Sequence, residues 1–357
     1  MKKQSRDRMK NTKEKKIYIE VLRILACFFV IFNHTEGCAL FYNTGGITEW
    51  KTWVYLGASY IVRTAVPIFL LIAGTCLLGK AESVRTILSK RVFKTFLILL
   101  MASLLYYCLN SPVGMIDFLQ KFLKGEVLYA YWYLYLYLGI LLMLPFLRAI
   151  VKGIDYNVYK YLLVCYFIFV NVIPMLNNLT GDTIDIALTG SFEIPILIKQ
   201  STFYLLIGYW VDNIYDISKV KVKTIIIMIS ISFLAIFYEC MNRFEEGVPI
   251  QGYIMLFDWI LALFIFIIIK YIFTRITLKK QICRIIIFMG SLTFGIYLLD
   301  LIVKPYILPS VEKIFLGLSI YIISIIYSVV SMIICGTITY GIKFVCSRIC
   351  QLMKKGI

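Results

Sequence analysis

The chain has 357 residues, of which 61% are hydrophobic and only 16% charged. That composition excludes a soluble globular domain, because apolar runs of about 20 residues are long enough to cross a bilayer core of roughly 30 Å. The 37 Lys and Arg against 20 Asp and Glu give a net charge of +17, but the basic residues fall in alternate loops, which argues for membrane topology and against a nucleic-acid partner.

A basic tail, 1–16, carries eight Lys and Arg and precedes the first apolar run, 17–36. That run holds Glu20, Arg23 and His34, the only histidine in the chain. Eleven residues of helix turn through about 1100°, so Arg23 and His34 share one face, about 16 Å apart along the axis. Glu20 and Arg23 are i,i+3 neighbours and can pair. A charge and a titratable ring inside an apolar segment are costly to bury, and a functional reason is weighed against simple headgroup placement. The second run, 53–79, carries Arg63 and Pro67. The proline removes a ladder donor and frees a carbonyl, which a helix tolerates where it lines a cavity. A third run, 92–109, follows a link with Lys90, Arg91 and Lys94, whose bland reading is topology charge and whose functional reading is a phosphate site. The fourth, 128–147, opens on Tyr129, Tyr131, Trp132, Tyr133, Tyr135 and Tyr137, either an interfacial belt or a platform on which a sugar stacks.

Further runs at 159–176, 196–212, 222–240, 252–272, 285–303 and 319–346 bring the number of expected transmembrane helices to about ten. Continuous apolarity without a period of two favours helices over a barrel. The basic groups alternate with poor loops such as 177–193, which has no Lys or Arg. The positive-inside rule then places both termini in the cytoplasm, Arg23 toward that side and His34 toward the outside. The expected organisation is a basic tail at 1–16, a transmembrane body at 17–346 and a short cytoplasmic tail at 347–357.

Most cysteines fall inside the apolar runs and read as small packing residues. With one histidine and no C-x-x-C, no metal site is expected. Residues 74–80 match the first part of a phosphate-binding loop, but Ala81 follows where the Mg²⁺-binding hydroxyl belongs. No G-x-S-x-G elbow supports a serine hydrolase.

Taken in order, these segments resemble the acyltransferase 3 family of multipass bacterial membrane acyltransferases. The family's acidic residue, Arg-x10-His pattern is matched by Glu20, Arg23 and His34. Its Arg-x-x-x-Pro-x-Phe segment followed by Gly is matched by Arg63, Pro67, Phe69 and Gly74. Its basic pair before the third helix is matched by Arg91 and Lys94, and its Trp-Tyr-Leu by Trp132, Tyr133 and Leu134. A late Ile-Tyr-Leu-Leu-His corresponds to 296–300, where Asp300 replaces the histidine.

The resemblance implies an all-α integral membrane enzyme in the bacterial cell membrane, with acyl-CoA, first acetyl-CoA, as co-substrate and no bound cofactor. The expected reaction is transfer of an acyl group to a hydroxyl of a cell-surface or lipid-linked glycan. His34 is the expected base or acyl carrier, oriented Arg23 (by Glu20) and Arg63 the oxyanion or donor contacts, Arg91 and Lys94 the donor-phosphate site, and Trp132 and Tyr133 the acceptor platform. The competing reading is a permease for a small metabolite or acylated precursor, in which Asp258 and Asp300 are ion-coupling or substrate sites.

Overall fold

The computed structural model describes residues 16–35, 57–58, 60–110, 112–173, 200–244 and 251–355; among them the chain forms helices and connections, with no strand. Nearly all of the basic tail and the loop 177–193 lie outside the described residues. Eleven α-helices of ten or more residues are traced among the described residues, in chain order: α1 Ile17–Asn33, α2 Ala65–Leu77, α3 Phe93–Leu109, α4 Met115–Lys124, α5 Trp132–Gly153, α6 Tyr156–Phe167, α7 Gln200–Asn213, α8 Val222–Phe244, α9 Gln251–Arg275, α10 Lys280–Ile314 and α11 Ile320–Lys355. Each of the ten expected apolar segments overlaps a helix where its residues are described. Among the described residues, five stretches are long and apolar enough to cross a membrane: Tyr60–Leu77, Val84–Leu109, Tyr129–Gly153, Lys280–Ile314 and Ile320–Arg348. Tyr156–Val172 and Val222–Leu234 form shorter apolar helices.

Helix α1 is the centre of the bundle. It packs on α2, α9, α10 and α11, and Leu22, Ala26 and Ile31 on it are fully buried. Helices α2 and α7 meet backbone to backbone. A Cβ on Gly74 would lie 2.0 Å from the Leu205 carbonyl oxygen, and one on Gly208 would lie 2.1 Å from that of Leu71. Thr75 seals the seam, its hydroxyl donating to the Gly208 carbonyl at 3.0 Å. Small residues let helices in an apolar solvent approach closely enough for dispersion contacts to hold them. Gly74 therefore serves packing, and its likeness to a phosphate loop has no structural counterpart.

Residues 60–63 are helical and the chain turns at Thr64 before α2 begins. Pro67 lacks the N–H that would bond the Arg63 carbonyl, so the interruption falls where the missing donor puts it. At the far end of α1, Tyr18 and Lys16 both donate to buried Asp212 of α7. Lys270 of α9 donates to the Val211 carbonyl at 2.7 Å and to that of Asp212 at 3.1 Å. This lock fixes the register of α1, α7 and α9 at one end of the bundle.

Two features differ from expectation. Helix α4 was not foreseen: it is amphipathic, burying Phe118 and Phe122 while Met115, Ile116 and Leu123 are exposed, and it ends on Gly125 at φ 74°. Helix α11 continues through Lys355, so the residues expected to form the C-terminal tail are helical as far as 355.

Candidate active site

His34 caps the C-terminus of α1, its N–H bonded to the Val30 and Ile31 carbonyls at 3.1 Å. Lys304 of α10 donates to the His34 carbonyl at 2.5 Å, which holds the cap in place. The imidazole Nδ1 lies 2.8 Å from Oδ2 of Asp300. The other Asp300 oxygen accepts from the Tyr327 hydroxyl at 2.9 Å and the Ser331 hydroxyl at 2.7 Å, both on α11. A carboxylate can only accept, so it selects the tautomer with hydrogen on Nδ1 and leaves the Nε2 lone pair available. Asp300 thus orients the ring, in the arrangement of a base held by an acidic partner. Sequence reasoning read this position as a lost histidine or, in a permease, as an ion-coupling or substrate site, and not as a partner of His34. An open ion-coupling role does not suit a fully buried carboxylate already holding three donors.

Arg23 donates through Nη1 to Glu20 at 2.9 Å and through Nη2 to the Cys76 sulfur at 3.6 Å. Glu20 is 4% exposed, and its carboxyl lies against α10 at Gly290, where a Cβ would come within 2.3 Å of Oε2. Gly290 therefore makes the room that lets an acid orient Arg23 at this depth.

One cavity of about 920 Å³ joins these groups. His34, Arg23, Arg63, Arg91, Trp132 and Tyr133 all line it, and Glu20 stands behind Arg23. Tyr133 stacks on Tyr137 with ring centroids 6.2 Å apart and packs edge-on against Tyr297 of α10. Tyr131 and Tyr297 tie α5 to α10 by hydrogen bonds to the Leu298 and Ala130 carbonyls.

At the opposite end from His34, Lys80 and Arg91 line the cavity. Arg91 donates to Glu82 through Nε at 2.8 Å and Nη2 at 2.6 Å, and Arg148 of α5 donates to the same carboxylate at 2.9 Å. Hydrogen bonds from Arg91 and then Arg148 pull the Glu82 carboxyl from 4.5 down to about 2. Arg91 therefore stands in a braced charge cluster and not as an isolated cation. Lys94 is exposed and does not line the cavity. The chain winds as a π-helix over Ile87–Val92, with the Phe93 N–H bonded to the Leu88 carbonyl. That wider turn ends between the two basic residues, and Lys94 falls on the regular helix that follows. Lys80, the last residue of the 74–80 run, lines the cavity beside Arg91. No group of three or more His, Cys, Asp or Glu suited to a metal occurs among the described residues.

An apolar helical bundle that sets an oriented acid–imidazole pair and three arginines around one cavity is built as a membrane enzyme. The family model Acyl_transf_3, described as an acyltransferase domain, matches residues 16–340, and the chain belongs to this acyltransferase 3 family. It is a membrane acyltransferase. No curated protein matches the chain, and no solved structure does.

Proposed function

We propose that this chain is an O-acyltransferase that takes an acyl group, first acetyl, from acyl-CoA and transfers it to a hydroxyl of a cell-surface or lipid-linked glycan. The observation that carries the reading is the single cavity running from the Lys80–Arg91 end to the His34–Asp300 pair. The Lys80–Arg91 end faces the cytoplasm and meets the phosphates of the donor, as the distribution of basic residues argues. Arg23, held by Glu20 and level with Cys76, contacts the donor arm inside the cavity. The thioester then reaches the outer half, where the acceptor sugar stacks on Trp132 and Tyr133.

His34 Nε2 takes the proton from the acceptor hydroxyl as its oxygen bonds to the thioester carbon. Arg63 meets the oxyanion that forms. Collapse breaks the carbon–sulfur bond, and the leaving thiolate takes the proton back from His34. The products are an O-acyl ester and free CoA, so the atoms balance without any further reactant. Asp300 stabilises the imidazolium that exists between the two proton transfers.

The test uses detergent-purified full chain with acetyl-CoA and the producing cell's surface glycan, stripped of its esters by mild alkali. Wild type should release CoA and label the glycan, and His34→Ala should lower turnover by at least about 10³-fold. Near-normal glycan labelling by His34→Ala sinks the mechanism. Glycan-independent movement of a solute without CoA release would favour the permease.

A further inference from the structure

The outer half of the cavity contains a second carboxylate that the transfer chemistry leaves unused. We propose that Asp258, positioned by Tyr204 and Gln200, recognises the acceptor by taking hydrogen bonds from the hydroxyls of a sugar ring lying beside His34; this rests on the acyltransferase reading above.

Asp258 is 2% exposed yet lines the same cavity as His34, Arg63, Gln200 and Tyr204. An ionised group in so apolar a wall is costly unless it is paired. The Tyr204 hydroxyl donates to its Oδ1 at 2.9 Å, and Arg63 lines the same cavity. Gln200 donates to the Tyr204 oxygen at 3.4 Å. Tyr204 thus spends its one proton on Asp258, and the group presented to a ligand is an acceptor.

The lock at the other end of the bundle sets the level of these residues. Gln200 lies twelve residues before Asp212 on α7, and Asp258 twelve before Lys270 on α9, each about 18 Å up its helix at 1.5 Å per residue. His34 lies about 24 Å beyond Tyr18 by the same rise, and Arg23 only about 8 Å. Asp258 therefore stands within about one helical turn of the His34 level and well above Arg23. At this level a carboxylate repels the phosphates of a donor and accepts hydroxyl protons. Sugar hydroxyls supply such protons in adjacent pairs, and the Tyr133–Tyr137 stack offers a face to the ring itself.

The experiment is the assay above, with acetyl-CoA and de-esterified glycan varied separately for wild type, Asp258→Asn and Tyr204→Phe. The expected result for Asp258→Asn is a rise of at least about tenfold in KM for the glycan, with kcat and KM for acetyl-CoA within about twofold of wild type. Tyr204→Phe, which keeps the carboxylate but not its orienting donor, should raise the glycan KM about threefold. If Asp258→Asn does not elute as folded protein, Tyr204→Phe and Gln200→Ala decide by the same readout. An unchanged glycan KM in the folded variants, or a loss confined to kcat, overturns the subsite. Absence of glycan-dependent CoA release by wild type would overturn the acyltransferase reading itself, a different result from a failed subsite in an active enzyme.

Discussion

Replacing Asp300 by Asn keeps the shape of the side chain and removes its charge. The carboxylate lies 2.8 Å from His34 Nδ1 with 0% exposure, so solvent does not screen the pair. When the ring takes the acceptor proton, opposite charges face each other with their centres about 4 Å apart, an interaction of about 4 kcal/mol at an effective dielectric constant of 20. Losing it lowers turnover by about 10³-fold. An amide that turns its NH₂ toward Nδ1 also selects the wrong tautomer, which adds to the loss. The assay is initial-rate release of CoA with saturating glycan, and the effect should appear in kcat with little change in KM for acetyl-CoA. Gel filtration and thermal unfolding in detergent control for folding, since Tyr327 and Ser331 must find a new acceptor. Turnover within about fivefold of wild type in folded Asp300→Asn refutes the argument that Asp300 serves the imidazole.

Lys80→Ala should raise KM for acetyl-CoA by about tenfold while Lys94→Ala leaves it unchanged, because only Lys80 stands at the cavity; the reverse order would restore the basic pair read from sequence. Glu82→Gln should lower the unfolding temperature at neutral pH, where the ionised carboxylate braces Arg91 and Arg148. Since folding depresses this carboxyl from 4.5 to about 2, its contribution is complete above about pH 4.5 and disappears as pH falls through 2. Melting curves of wild type and Glu82→Gln should therefore converge between those limits. Gly208→Ala should cost about 3 kcal/mol or prevent assembly, because its Cβ would sit 2.1 Å from the Leu71 oxygen; folded yield and detergent melting measure it. By contrast, Gly139→Ala on α5 meets nothing within 4 Å and should be neutral.

The residues that can be read from sequence are those whose partners are close along the chain. Glu20 and Arg23 pair across three positions, and the face shared with His34 follows from helical pitch alone. Apolar run length located the helical segments because an apolar solvent leaves the backbone no other way to satisfy its polar groups. Asp300 was unreadable for the opposite reason. It meets His34 across 266 residues, and a change from imidazole to carboxylate at that position reads as loss until α1 and α10 are seen together. Glu82 was lost among the cations of its link, although it joins one of them, Arg91, to Arg148 of α5. Spacing alone does not say which basic residues of this stretch meet the cavity, and Lys94 lies on an exposed face. Helix α4 escaped because alternating polar and apolar residues flanked by Gly114 and Gly125 carry no long apolar run.

The seam between Gly74 and Gly208 has a mechanical consequence. Each glycine is closed by a main-chain carbonyl of the other helix, so α2 and α7 can neither slide nor rotate against each other without collision. Helix α3 contributes no residue to the cavity lining, buries only Leu99, Ser103 and Tyr107, and is held at its entry by the Glu82 clamp. The seam should therefore be the stiffest part of the bundle, and amide hydrogen exchange should be slow along α2 and α7 and faster along α3.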